Sequence, residues 1–164
     1  MTTEGKVQIT STELGTLWMS YQTVSAAQMV CDLFKDKIID MDAKNIITSY
    51  TVERKKTIDG IVNILNNEKA VIPVGFVEQD VMREVPPLFD DIFCIMYLRH
   101  IAKAHIGHSA VFTTISYKKE VYDVLKQNYD LSCKYYMITT NYLLEKCVLS
   151  RPPYVTMPKQ VEFI

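Results

Sequence analysis

The sequence predicts an all-α protein, a four-helix bundle with one long crossover between the second and third helices. Apolar residues recur at spacings of three and four in four separate segments, which is typical of helices with one buried face. Short polar breaks separate the first two segments and the last two. A stretch of about 20 residues rich in proline and glycine separates the middle two.

Capping residues mark where the predicted helices begin. Thr10 followed by Glu13 is a capping-box pattern, in which hydroxyl and carboxylate each accept a hydrogen bond from an otherwise free amide. Asp40 or Asp42 can cap the second helix, and Asp90 places negative charge at the start of the third. The predicted helices span approximately residues 11–37, 41–67, 90–116 and 119–147, followed by an extended tail over 150–164.

Linker lengths predict the order of the helices in space. The short breaks allow only antiparallel neighbours. A helix of about 27 residues spans about 40 Å, whereas a 20-residue connection can stretch to about 65 Å. The middle linker can therefore cross the whole bundle, which makes helices two and three parallel. This is the topology of ferritin-like bundles, and we expect it to form one domain over residues 1–164.

Composition excludes several classes of partner. Eighteen basic and nineteen acidic residues give a net charge of -1, and no run of Lys or Arg is dense enough to follow a phosphate backbone, so we expect no nucleic acid. No stretch of about 18 apolar residues suits a membrane, and the first ten residues lack the apolar region of a secretory signal. We expect a protein that stays in the cell, with its four cysteines as free thiols.

Several motifs together resemble one family. They are the segments 72–81 (IPVGFVEQDV), 87–91 (PLFDD), 96–100 (MYLRH), 151–154 (RPPY) and 161–163 (VEF). They are similar to a family of spore-forming bacteria that is catalogued only as a domain of unknown function. The resemblance spans nearly the whole chain and implies a ferritin-like bundle, often present as two tandem copies. Some members carry a spore coat label, which implies a place in the cytoplasm of a sporulating cell or in its spore coat.

The residues of a ferritin-like di-iron centre are missing from the pattern. Such a centre needs one inward Glu from each of two helices and a Glu-x-x-His from each of the others. Glu53 is followed three residues later by Lys56, and helix four has Glu120 but no histidine. No Ser or Cys lies in a nucleophile motif, and no glycine-rich loop could hold a phosphate. We therefore predict no catalytic residues and no cofactor.

All three histidines lie in helix three. His105 and His108 occupy successive positions of its apolar stripe, so we expect both to point inward. They could hold a metal or a small polar ligand, or they could belong to a buried polar layer that fixes the helix register. The second interpretation is favoured, since no inward carboxylate or thiol completes a ligand set. The residues that could face them are Ser25 or Gln28, Arg54 or Thr57, and Ser132 or Tyr136.

Helix four has two apolar stripes, and one core can bury only one of them. The first stripe contains Tyr122, Leu125, Tyr129, Tyr136, Leu143 and Cys147. The second contains Val124, Leu131, Tyr135, Ile138 and Tyr142. Which stripe faces inward is left open, but a homodimer would cover the other. We also expect the tail from Val155 to Ile164 to pack on the bundle, because Val161, Phe163 and Ile164 would otherwise expose apolar surface.

These observations favour a non-enzymatic structural or interaction protein, and the family resemblance implies that it is related to the spore coat. The alternative is a metal- or small-ligand-binding bundle that uses His105 and His108.

Overall fold

The computed structural model describes residues 7–155, and within that range it is helical with no β-strand. The four helices are α1 (Ser11–Lys37), α2 (Met41–Asn67), α3 (Asp91–Thr114) and α4 (Lys119–Glu145), and a short 3-10 helix (Glu78–Asp80) lies between α2 and α3. The helix ends fall within two residues of the predicted bounds. The tail segment 156–164, on which the packing prediction depends, lies outside the described residues.

The predicted caps account for the starts of three helices. Thr10 and Glu13 form the complete capping box, with a 3.1 Å bond from the Glu13 amide to the Thr10 hydroxyl and a 2.9 Å bond from the Thr10 amide to the Glu13 carboxylate. Asp40, one of the two candidates, caps α2 through a 2.9 Å bond. Asp90 caps α3 through a 2.7 Å bond. The N-cap of α4, Lys118, provides no capping side-chain bond.

Contacts between helices establish the topology. The ring centroids of Phe34, near the end of α1, and Tyr97, near the start of α3, lie 5.4 Å apart. At the opposite end, Glu13 at the start of α1 accepts a hydrogen bond from the amide of Tyr117, which follows α3. Glu53 near the middle of α2 pairs with Lys134 of α4, and Glu68 at the end of α2 pairs with Lys118 at the start of α4. α1 is therefore antiparallel to α3, and α2 is antiparallel to α4. Since α1 is also antiparallel to α2, α2 and α3 run parallel, which is the one-crossover arrangement that the linker lengths predict.

The crossover, residues 68–90, lies along α1. Three hydrogen bonds join them: Trp18 Nε1 to Val71 O (2.9 Å), Phe76 N to Ser25 Oγ (3.3 Å) and Lys37 Nζ to Arg83 O (2.9 Å). Gly75 lies so close to α1 that a Cβ there would be 2.6 Å from the ring of Tyr21 and 2.9 Å from Ser25 Oγ. Only a residue without a side chain permits this approach.

Two carboxylates join helix ends that are distant in sequence. Besides its capping box, Glu13 accepts bonds of 2.8 and 2.7 Å from the amides of Tyr117 and Lys118, and so joins the start of α1 to the turn before α4. At the opposite end of the bundle, Asp91 of α3 accepts bonds from the amides of Ile39 and Asp40, the latter at 2.7 Å. Each carboxylate holds the turn of the other helical hairpin.

The apolar core consists of two clusters. One includes Ile47, Leu98 and Leu143, and the other includes Leu17 and Leu125. On α2, α3 and α4, buried polar residues separate the two clusters. These polar residues lie halfway along the bundle.

The two stripes of α4 have different environments. The second stripe faces the core, with Val124, Leu131, Tyr135 and Tyr142 all buried. Leu125 and Leu143 of the first stripe are also buried, whereas Tyr122 is 43% exposed. The tyrosines between them, Tyr129 and Tyr136, are half-buried. The outward side of α4 is therefore the tyrosine side of the first stripe.

Candidate functional site

A layer of buried polar side chains crosses the middle of the bundle. Its members come in pairs one helical turn apart: Arg54 and Thr57 of α2, His105 and Ser109 of α3, and Asn128 and Ser132 of α4. At most 5% of any of these residues is exposed. Because burial of unbonded polar groups is costly, the arrangement of this layer depends on its hydrogen bonds.

Arg54 is the centre of the layer. Its Nε donates to the hydroxyl of Tyr50 at 3.1 Å, and its two terminal nitrogens donate to Asn128 Oδ1 and, at 3.4 Å, to Ser132 Oγ. Asn128 in turn donates from Nδ2 to Ser109 Oγ at 2.7 Å. The network therefore connects α2, α4 and α3, and each acceptor of the guanidinium is a neutral group.

The two predicted site histidines have different environments. His105 is buried, and its Nδ1 has no hydrogen-bond partner among residues 7–155. Burial, with smaller effects from Arg54 and His108, lowers the pKa of His105 to about 3, so its ring is neutral near pH 7.

His108 is exposed, and the expectation that both rings point inward is wrong. Three residues advance a helix by about 300°, which turns His108 away from the buried stripe. Its ring lies 6.2 Å from that of Phe112, in a groove between α1 and α3.

The structure brings together only some of the residues that could face the histidines. Arg54, Thr57 and Ser132 are in the layer. Ser25 bonds instead to the crossover, Gln28 bonds to Asp32, and Tyr136 accepts a bond from Arg99. Asn128 was missed by the sequence analysis. The signal was present, since this polar residue interrupts the inward stripe of α4 between Leu125 and Leu131.

The metal hypothesis gains no further ligands from the structure. In the part of the chain from residue 7 to 155, no group of three or more His, Cys, Asp or Glu side chains could hold a metal ion. Glu53, the carboxylate nearest in sequence to the layer, bonds to Lys134 and Tyr135. Metal binding by His105 and His108 stays a prediction, and the charge of Arg54 opposes a cation in the layer.

We expect the purified protein to contain no stoichiometric iron, manganese or zinc, because one of the two histidines is buried beside a guanidinium and the other is exposed. Elemental analysis after purification without chelators measures this directly. Close to one equivalent of metal, absent from a His105→Ala, His108→Ala double variant, would contradict the expectation and support the alternative function.

The described helices share one further property, which is that none is long and apolar enough to cross a membrane.

Fold and site together define a ferritin-like four-helix bundle with a buried arginine halfway along its length. The chain belongs to the family "Protein of unknown function (DUF3231)", whose model matches residues 1–161. The family resemblance predicted from the motifs and the predicted fold class are both confirmed. A comparison with curated proteins finds no match.

Two solved structures are similar. A protein from Bacillus halodurans C-125, named "putative spore coat protein", is 13% identical and has a TM-score of 0.81, covering 92% of this chain and 98% of its own. A two-domain protein from Anabaena variabilis ATCC 29413, with DJ-1/ThiJ/PfpI-like and ferritin-like domains, is 14% identical with a TM-score of 0.65. The match covers 89% of this chain and 40% of that protein. At these identities the similarity shows the fold alone.

Proposed function

We propose that this protein is a non-enzymatic interaction protein that contributes to the structure of the spore coat. The observation that carries the proposal is the apolar surface on the outward side of α3 and α4. The name of the similar Bacillus halodurans structure supports the location.

This surface includes the contact between α3 and α4. Arg99 of α3 bonds to Thr140 and Tyr136 of α4, each at 2.8 Å, and Met96 and Met137 flank this contact in sequence. The exposed apolar residues on the outward side of the two helices include Met96, Val111, Tyr122, Met137 and Leu144, each 37–60% exposed. Large contiguous apolar patches are uncommon on monomeric proteins, and such patches commonly bind other proteins.

The closed centre of the bundle supports a non-enzymatic role. Arg54, Thr57 and Ser132 have no exposed surface, so an organic substrate has no access to the polar groups of the layer. A catalytic group must come within hydrogen-bond reach of the atoms that react. The layer instead joins three helices through neutral partners, which suits a structural role.

We further propose that a second copy of the chain covers part of the outward α3–α4 surface. Tyrosine is well suited to such an interface, and a two-fold contact is the commonest arrangement in homo-oligomers. Light scattering at micromolar concentration is expected to give about twice the chain mass of 18.9 kDa. A Tyr129→Glu, Tyr136→Glu variant is expected to be a folded monomer, because charges in the interface are costly to bury.

Val52 provides the matched control for this experiment. It is 60% exposed on α2, away from the α3–α4 surface, so Val52→Glu is expected to remain dimeric. A monomeric wild type would contradict the dimer, and a dimeric tyrosine variant would place the interface elsewhere.

The spore coat role is tested in a sporulating Bacillus host. A fluorescent fusion of the wild-type chain is expected to concentrate around the developing spore and to remain with purified spores. The Tyr129→Glu, Tyr136→Glu variant is expected to lose most of this signal, whereas Val52→Glu keeps it. A uniform cytoplasmic signal from the wild-type fusion throughout sporulation would overturn the proposal.

A further inference from the structure

Arg54 carries a fully buried positive charge with no acidic partner. Its exposed fraction is 0%, and its hydrogen bonds go to an amide and two hydroxyl groups. None of the ion pairs formed among residues 7–155 includes it. A buried charge without a counter-charge is strongly unfavourable, so this layer needs a source of negative charge.

The titratable side chains around Arg54 do not supply that charge. Burial raises the pKa of the Cys31 thiol and of the Tyr50 hydroxyl far above their ordinary values, even though the guanidinium lowers both. Both groups are therefore neutral near pH 7. Glu53 is engaged with Lys134 and with the hydroxyl of Tyr135.

The layer also contains polar groups whose hydrogen-bonding capacity is not used. A guanidinium has five N–H groups, and the three bonds of Arg54 leave others free. The Thr57 hydroxyl and Nδ1 of His105 have no partner among the described residues, although both residues are buried. The oxygen of Asn128 already accepts from Arg54. Free N–H groups on a buried cation, together with a hydroxyl that can donate, are the groups that bind an anion in proteins.

We propose that this layer binds one small monovalent inorganic anion, with the chemistry of chloride, against the guanidinium of Arg54 and the hydroxyl of Thr57. His105 is a further donor when its neutral ring carries the proton on Nδ1. The layer is closed to solvent, and Ser109 of α3 and Ser132 of α4 are buried in it as well. Because no residue of the layer is more than 5% exposed, we expect the ligand to be a single atom or little more. The inference is independent of the spore coat role.

The test measures thermal unfolding in sodium chloride and in sodium gluconate at the same ionic strength. For the wild type, chloride is expected to raise the midpoint in a saturable manner by about 4 °C, since a ligand that binds only the folded state stabilises it. Arg54→Met removes the charge and is expected to abolish the difference between the two salts. Asn128→Asp supplies a fixed carboxylate beside the guanidinium and is expected to abolish it as well.

Asn141→Asp is the matched control, because Asn141 is exposed on α4 and the charge change is the same. This variant is expected to keep the full response to chloride. Crystals grown in bromide should give an anomalous peak beside Arg54, a measurement on the wild type that does not depend on any variant folding. Equal midpoints in both salts, a response that persists in Arg54→Met, or the absence of a bromide peak would overturn the proposal.

Discussion

Replacing Asn128 by leucine is expected to lower the free energy of unfolding by about 3 kcal/mol. The variant removes the acceptor of one guanidinium nitrogen of Arg54 and the donor to Ser109, while the charge remains buried. Hydrogen bonds to charged groups contribute more than neutral ones, and a buried donor left without a partner keeps its full desolvation cost. Urea denaturation at constant chloride concentration measures the change.

The companion variant separates the charge from the shape of the side chain. Arg54→Met keeps most of the volume but removes the charge, so we expect a change within about 1 kcal/mol of the wild type. In the double variant, the loss caused by Asn128→Leu should shrink by about 2 kcal/mol, since no charge is then left unpaired. Additive effects of the two substitutions would contradict the view that the two residues act as one network.

Replacing Glu13 by glutamine is expected to lower the free energy of unfolding by about 2–4 kcal/mol, because it places an amide donor among groups that all donate. The carboxylate accepts bonds from the amide and hydroxyl of Thr10 and from the amides of Tyr117 and Lys118. Glu120→Gln is the control, since Glu120 is exposed in the first turn of α4 and the same charge is removed. Its effect should stay below about 0.5 kcal/mol.

The same carboxylate predicts a pH dependence. Burial by itself raises the pKa of Glu13, but the hydrogen bonds from Lys118, Thr10 and Tyr117 together lower it below its ordinary value of 4.5. The unfolded state therefore binds the proton more readily than the folded state. The stabilisation is complete above about pH 4.5 and decreases as the pH falls through the lowered pKa. The difference between wild type and Glu13→Gln should shrink in acid. A constant difference from pH 7 to pH 3 would contradict this assignment.

Local signals in the sequence predicted the helices well because caps and apolar spacing act over a few residues. The capping box of Thr10 and Glu13 is one example. The second role of Glu13 could not be predicted, since its partner Tyr117 lies 104 residues away and becomes a neighbour only through the topology. Tertiary contacts, not helix propensity, determine such bonds.

The candidate site was only partly predictable for the same reason. Helical phase placed His105 inward correctly, but an error of about 60° in phase separates a buried position from an exposed one, and His108 lies on the exposed side. The sequence offered Arg54 only as one of two alternatives on α2, because a long side chain can reach either the core or solvent. The role of Asn128 depends on its hydrogen bond with Arg54 across the bundle, and sequence spacing alone does not identify that partner.

The carboxylates of Glu13 and Asp91 also make the docking of the two helical hairpins measurable. The α1–α2 hairpin and the α3–α4 hairpin can each form from local contacts, but the amides of Ile39, Asp40, Tyr117 and Lys118 gain these acceptors only after the hairpins dock. Their exchange with deuterium therefore reports docking, while amides in the middle of each helix report helix formation. Equal exchange rates of the amides at the two ends would show that the hairpins separate as a unit. Unequal rates would show that the bundle opens first at one end.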